Sequence, residues 1–229
     1  MGDEATAPAP HPTAIRLQVL GAEHWSLLAS RGLAWNETFN RAGMYLSTLS
    51  GAMIALGLIA GIDGFGPGFV SFALVVLPVV LFVGLTTFLR MGATNYHDAI
   101  AIVGMNRIRA AYVALAPDLE PLFVMGVHDD PAGIARTMAI PPGMPPLVHV
   151  VSAAPFVVNV LNAAVAGSIA AIVAMGVVGV GGAVAVAVAA LAFGLVLTAQ
   201  VRLVGANVRR GRAGIRPLFP ATDADRGAP

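Results

Sequence analysis

Two asparagines within a strongly apolar stretch are the first side chains of this sequence that could carry a function. Asn159 and Asn162 lie three residues apart, so they share one face of a helix, and Ser152 precedes them. Such a stripe could line a pore or a polar cavity. Amides in membrane helices also commonly hydrogen-bond to a neighbouring helix and hold an assembly together. That general preference favours the second interpretation, and the first stays open.

A second set of polar side chains lies in the middle of the chain and is a candidate site for assembly or for a ligand. Its members are Asn106, Arg107, Arg109 and Tyr112. The two guanidinium groups could bind a lipid phosphate or another anion through charge-assisted hydrogen bonds. They could as well form ion pairs, which are common at protein surfaces and are the favoured interpretation. The acidic residues predicted as their partners are Asp98, Glu120 and Glu37.

The segment His128–Asp130 raises the question of a metal site, which His97 and Asp98 could complete if the chain brought them together. However, Asp130 stands directly before Pro131, and this pair is typical of a helix start in which the aspartate is the N-cap. Capping explains the carboxylate without a metal. We therefore predict neither a metal nor a cofactor.

Catalytic chemistry has little support in the sequence. The chain has no Cys, which excludes thiolate nucleophiles and Cys-ligated metals. No Ser/His/Asp arrangement with a positioned nucleophile is recognisable. The glycine-rich segment 176–182 lies between apolar runs and not after a soluble strand, so it is not a nucleotide-binding loop. We expect that the protein is not an enzyme.

These groups must be positioned by a chain that is too apolar to be soluble. Of its 229 residues, 57% are hydrophobic and only 11% are charged, whereas soluble domains carry about a quarter charged residues. A lipid bilayer must therefore act as solvent for much of the surface, and it is the first predicted partner. The net charge of +1 gives no reason to expect a nucleic-acid partner.

The apolar runs predict an all-α integral membrane protein with four transmembrane helices, arranged as two hairpins with a helical cytoplasmic module between them. The predicted segments are a disordered tail at 1–13, an amphipathic helix at 14–41 that leads into the first span, a hairpin at 42–89, the module at 90–146 with a helix at 95–116, a second hairpin at 147–204 and a basic tail at 205–229, disordered beyond Arg216.

The distribution of arginine predicts the orientation. All 13 basic residues are Arg; three precede the first predicted span, four lie in the predicted module and six lie from Arg202 onward. Because basic residues concentrate on the cytoplasmic side, both termini and the module are expected in the cytoplasm. Richness in Arg, Ala, Gly and Val is typical of a GC-rich bacterial genome, so the expected location is the bacterial plasma (inner) membrane.

Two apolar seams predict helix packing within the chain or between copies of it. On the N-terminal helix the seam is Trp25, Leu28, Gly32, Trp35 and Phe39. On the central helix the seam is Ala101, Met105, Ile108, Tyr112 and Leu115. Their matching period favours packing of one seam on the other, and Trp25 and Trp35 are therefore candidate assembly residues. A homo-oligomer is the expected state.

The sequence also resembles a known set of proteins. The motifs that carry the resemblance are Leu28-Ala29-Ser30-Arg31 and Trp35-Asn36-Glu37 before the first span, the run Met105–Tyr112, the run Pro117–Pro121 and the segment His128–Asp130. They resemble bacterial, largely actinobacterial, four-span membrane proteins without an assigned function, over about residues 24 to 205. In architecture the chain is also similar to SLATT-type two-span modules, which are predicted pore-forming effectors triggered by nucleotide-linked signals. The second hairpin departs from that type.

Together these features predict a homo-oligomeric membrane protein with a channel or pore-like role, in which the cytoplasmic helices form an assembly and gating layer. The alternative is a non-conducting scaffold or interaction protein whose module docks a cytoplasmic partner. A carrier of small solutes or lipids is a weaker option, because ion-coupled carriers usually need a charged residue near the middle of the bilayer.

Overall fold

The computed structural model describes residues 12–140, 145, 148, 151 and 153–222, and all regular structure in those residues is helical. The helices are α1 (Pro12–Asp63), α2 (Pro67–Leu115), α3 (Pro131–Thr137), α4 (Ala154–Ile172) and α5 (Gly182–Ala213), with a short 3₁₀ helix at Pro117–Leu122 and a π-helical turn at Val173–Val178. The predicted all-α class is confirmed.

Four helical stretches are long and apolar enough to cross a membrane, as predicted. They are Pro12–Asp63, Pro67–Leu115, Ala154–Val178 and Gly182–Asn207. Large apolar side chains such as Ile54, Leu58, Val75, Phe82 and Leu195 are exposed along them, where lipid would cover them. The chain is a membrane protein.

Two predicted boundaries are wrong. Helix α2 continues through Arg90, so the central helix expected from residue 95 is the second half of one 49-residue helix. No proline or glycine pair interrupts the chain there, and Thr94 donates a hydrogen bond to the Arg90 carbonyl within the helix. Helix α5 likewise extends past 204 to Ala213, so part of the expected tail is helical.

The chain divides into two compact units. The module unit contains Met1–Leu33, Asp98–Pro141 and Pro217–Pro229, and the span unit contains Ala34–His97 and Pro142–Arg216.

In the module unit, the start of α1 lies antiparallel to the end of α2. Leu27 contacts Gly104, where a Cβ atom would lie 2.9 Å from Leu27 Cδ1, and Arg31 forms an ion pair with Asp98, with 2.6 Å between Nε and Oδ1. The predicted packing of the two seams within one chain is therefore wrong. Trp25 is 70% exposed, because Leu27 and Arg31 turn a different face of α1 towards α2.

Only part of the central seam is buried in the module unit. Ala101, Met105 and Ile108 lie in its core, whereas Leu115 is exposed. The buried face thus extends over the first turns of the predicted seam and stops before its end.

The buried core of the span unit is built by α1, α2 and α4, with Val204 of α5 packed against it, and its large members are Tyr45, Leu77, Phe88, Met91 and Val158. Helices α1 and α2 are joined by a turn in which Gly64 adopts a left-handed conformation with φ of 61°. The Asp63 carboxylate accepts a hydrogen bond from the Phe69 amide just beyond that turn. Helices α4 and α5 approach closely at Gly167, where a Cβ atom would lie 3.0 Å from the Ala189 carbonyl oxygen.

Candidate functional site

The two predicted asparagines lie between helices of the span unit. Asn159 is 1% exposed and Asn162 is 0% exposed. Nδ2 of Asn159 donates to the Leu197 carbonyl at 3.3 Å, and Nδ2 of Asn162 donates to Oε1 of Gln200 at 3.2 Å. Both amides therefore link α4 to α5. This is the arrangement expected when amides hold neighbouring helices together. The third residue of the predicted stripe, Ser152, lies outside the described residues.

Around Asn162 the structure assembles a polar cluster that draws on all four long helices. Tyr45 comes from α1, Gly84 from α2, Asn159 and Asn162 from α4, and Gln200 from α5. Gly84 is required, because a Cβ atom there would collide with Asn162 Oδ1 and lie 2.7 Å from Cε2 of Tyr45. We call these five residues the span cluster.

The span cluster is only partly satisfied by hydrogen bonds. Its buried atoms without a partner among the described residues are Tyr45 OH, Asn159 Oδ1, Asn162 Oδ1 and Gln200 Nε2. A buried polar atom left unpaired costs about 1 to 3 kcal/mol. The cluster therefore keeps unused hydrogen-bonding capacity inside the bundle. Sequence reasoning missed Tyr45, Gly84 and Gln200.

The module unit contains a second polar assembly, centred on the fully buried Asn106. Nδ2 of Asn106 donates to the His128 carbonyl at 2.7 Å. Its Oδ1 accepts hydrogen bonds from Thr137 Oγ1 and from Arg109 Nη1, both at 2.8 Å. Thr137 Oγ1 in turn accepts the Gly126 amide at 3.1 Å. This network fastens the loop after the 3₁₀ helix and helix α3 to α2.

Arg107 pairs with a residue other than those predicted. Its Nε donates to Asp129 Oδ2 at 2.8 Å, so an ion pair is present, with an acidic residue that was not among the expected partners. Asp98 pairs with Arg31 instead. Glu37 pairs with Arg90 and Arg41, at 2.7 Å and 2.9 Å.

Asp129 and Asp130 together hold the segment 217–222, called here the C-terminal segment. Asp129 carboxylate oxygens accept the amides of Leu218 and Phe219, each at 2.8 Å, and its own amide donates to the Phe219 carbonyl at 3.2 Å. Asp130 Oδ2 accepts the Ala221 amide at 3.1 Å. The prediction of disorder beyond Arg216 is therefore wrong as far as residue 222.

These bonds also account for the acidic segment that suggested a metal. Oδ1 of Asp130 accepts a hydrogen bond from the Gly133 amide at 2.9 Å. Asp130 is therefore the N-cap of α3, as predicted. Among the described residues no group of three or more His, Cys, Asp or Glu could hold a metal ion. Burial acts to raise the pKa of Asp129, but the hydrogen bonds from Leu218, Arg107 and Phe219 outweigh it and hold that pKa below its usual value.

Arg109 has a different environment from Arg107. It is 8% exposed, and within the described part of the chain its Nη1 donates to two neutral acceptors, Asn106 Oδ1 at 2.8 Å and the Gly126 carbonyl at 3.3 Å. No acidic side chain in the described part of the chain forms an ion pair with it. Burial lowers the pKa of Arg109, and the nearby charge of Arg31 lowers it further.

The remaining predicted residues stay apart from this network. Tyr112 contacts α1, where a Cβ atom at Gly21 would lie 3.8 Å from its hydroxyl. Trp25 is exposed on α1. Trp35 stacks on Phe39 with ring centroids 5.8 Å apart. Trp25 is thus exposed and Trp35 is half-buried, while Arg109 is hydrogen-bonded to Asn106 and Arg107 is paired with Asp129, next to the His128 carbonyl that Asn106 binds.

An apolar groove of about 520 Å³ opens on the module unit, and no sequence signal singled it out. It runs between the start of α1 and the end of α2, beside the C-terminal segment. Its lining residues are Ile15, Arg16, Val19, Leu20, Ala111, Ala114, Leu115 and Phe219. Several of them, including Val19 and Leu115, are exposed large apolar side chains.

Comparisons with known proteins give no relative. No protein-family model, no curated protein and no solved structure matches the chain. The resemblance to four-span bacterial proteins rests on the motifs alone and stays a prediction.

Proposed function

We propose that this protein is a membrane-anchored interaction protein. In this proposal the four spans form two hairpins in a bacterial plasma membrane and hold a preformed helical module on the cytoplasmic side, where the module binds a partner. The arginine distribution supports the orientation, because the predicted outer turns carry no basic residue.

The observation that carries the proposal is the apolar groove of the module unit. A contiguous apolar surface in contact with water commonly marks a binding site, and this groove has a volume of about 520 Å³. Two antiparallel helices form its walls, which suits an apolar helix face laid between them. Arg16 is the charged residue among those that line the groove, and it favours a partner helix that carries an acidic residue beside its apolar face.

The span unit supports an anchoring role more than a conducting one. The amides expected to line a pore donate to Leu197 and Gln200 on the adjacent helix. The exposed side chains of the spans are mainly apolar, as in lipid-facing surfaces. A bundle of this kind needs no polar path in order to hold the module at the membrane.

Photocrosslinking in native membranes tests the groove. A photoreactive residue at Val19 should trap one partner through an amphipathic helix, as mapped by mass spectrometry of the adduct. A second photoreactive residue at Val124, which is 82% exposed outside the groove, is the matched control. Equal adducts at both positions, or adducts that map to lipid, would contradict the proposal.

A homo-oligomeric channel is the second candidate, and the unpaired atoms of the span cluster favour it. Polar atoms inside a bundle can hydrate a path for ions or small solutes. The exposed stripe that begins with Trp25 would then pack between copies, with the helices as an assembly and gating layer. The mass of the nanodisc-embedded particle tests this candidate: a ring of several chains is required, and a monomer excludes it.

A further inference from the structure

Arg109 is a buried cation that has no acidic partner among the described residues, although such a group ordinarily has one. Taking a guanidinium out of water is expensive unless an opposite charge compensates it. Its two hydrogen bonds go to an amide oxygen and a backbone carbonyl, both neutral. The neighbouring Arg31 is already paired with Asp98, and Arg107 is paired with Asp129. The ion pairs of the described residues therefore leave Arg109 without an anion.

The donors that remain on Arg109 suit an oxyanion. A guanidinium carries five N–H donors in a planar fork. Both described bonds use Nη1, which leaves Nε and Nη2 for a ligand. These two nitrogens present parallel donors, the arrangement that binds carboxylate or phosphate oxygens in a bidentate manner.

The surroundings hold this fork in place. Asn106 fixes Nη1 while it is itself held by Thr137 and by the His128 carbonyl. Because each of these partners is bonded in turn, Arg109 has little freedom to swing towards solvent. A rigid donor set loses little entropy on binding, which is the property of a prepared site.

His24 supplies a second unpaired group near Arg109. It lies three residues from both Gly21 and Leu27, each of which contacts α2, so its side chain is on the same face of α1. Nδ1 of His24 is buried and has no partner among the described residues. Burial lowers the pKa of His24, and the positive charge of Arg109 lowers it further, which agrees with their proximity.

We propose that Arg109 and His24 form a binding site for a phosphate group, with the Nε and Nη2 donors of Arg109 as its charged contact. The phosphate would supply the missing negative charge, and a hydrogen bond donated by His24 Nδ1–H to a phosphate oxygen would fix its orientation. The group could belong to free phosphate or to a lipid headgroup. This site is separate from the apolar groove, and it does not depend on the docking function proposed above.

Thermal unfolding of the full-length protein in phosphatidylcholine nanodiscs tests the site, with inorganic phosphate compared with chloride at equal ionic strength. Phosphate should raise the unfolding midpoint of the wild type and of Arg136→Gln, which removes an exposed arginine on α3. Arg109→Gln should weaken phosphate binding by about tenfold or more, since a charge-assisted pair is lost. His24→Phe should weaken it less.

A measurement on the wild type avoids the risk that Arg109→Gln fails to fold. The Nε–H signal of Arg109 in nitrogen-15 spectra should shift as inorganic phosphate is titrated. An unchanged signal, or a phosphate response that is the same in Arg109→Gln, would overturn the proposal.

Nanodiscs that contain phosphatidic acid distinguish the two sources. If the headgroup occupies the site, the Arg109 signal shifts without added phosphate and no longer responds to it. If free phosphate is the ligand, the titration is the same in both lipids. Either result supports the site, whereas no response to either form of phosphate would contradict it.

Discussion

The two polar assemblies of this protein are built on the same kind of residue and differ in how completely they are satisfied. Asn106 and Asn162 are both 0% exposed. Both amide atoms of Asn106 have partners, whereas Asn162 leaves its Oδ1 unpaired among the described residues. A satisfied network fixes one geometry, while a partly satisfied one keeps capacity for another partner. The network around Asn106 in the module unit is therefore held in one geometry more firmly than the span cluster.

Asn106→Leu should give the largest effect. It leaves the His128 carbonyl, Thr137 and Arg109 without their shared partner, and several buried unpaired groups together cost about 3 kcal/mol or more. Asn162→Leu should cost less, about 1 to 2 kcal/mol, because it takes the partner from a single buried atom, Gln200 Oε1, and removes an Oδ1 atom that was already unpaired. Amide hydrogen exchange in nanodiscs measures both, and equal effects would remove the distinction between the two assemblies.

Gly84→Ala should destabilise the span unit by about 1 to 3 kcal/mol, because overpacking forces the neighbours apart. The new methyl group collides with Asn162 Oδ1. Gly57→Ala is the control, since no atom lies within 4 Å of a Cβ there. In thermal unfolding, Asn162→Ala should rescue much of the loss in the double variant. Absence of rescue would mean that Gly84 matters for another reason.

The C-terminal segment should detach in acid. The pKa of Asp129 in the folded protein lies below its usual value, so the stabilisation it gives is complete above the unfolded pKa of about 3.9 and is lost as pH falls through the folded pKa. Hydrogen exchange of the Leu218 and Phe219 amides, corrected for intrinsic rates, should report this release. Asp129→Asn should loosen the segment at neutral pH and flatten the pH dependence.

The smallest effect is expected at Glu37, whose ion pairs with Arg90 and Arg41 are exposed. Hydrogen bonds from Arg90 and then Arg41 lower its pKa to about 2, yet exposed pairs contribute little and are screened by salt. Glu37→Gln should lower the thermal midpoint slightly at low salt and not at high salt. Glu23→Gln, at another exposed position on α1, is the control, and an effect that survives high salt would contradict this view.

The sequence predicts features that depend on local periodicity and composition. The all-α class, the four apolar helices, the N-cap at Asp130 and the shared face of Asn159 and Asn162 all follow from spacing along one helix. The sequence also showed the helical period of the apolar seam that begins at Trp25. A helical period alone, however, does not tell which face of a helix packs against its neighbour.

Features that join distant parts of the chain could not be predicted. The partner of Arg107 is Asp129, beyond the end of α2, and the C-terminal segment binds the same carboxylate from the far end of the chain. Gly84 and Gln200 lie in apolar runs, and their importance arises only when four helices meet at Asn162. Long-range packing decides such pairings, and a single sequence contains no direct record of it.

The central proposal is that the spans anchor the module and do not conduct ions. The most direct test is to measure ion flux through the full-length protein in planar bilayers, after its insertion has been verified. We expect no conductance above that of the lipid alone, because the amides of α4 are bonded to α5. A reproducible conductance that Asn162→Leu alters and the control Gly57→Ala leaves unchanged would contradict the proposal and favour the channel.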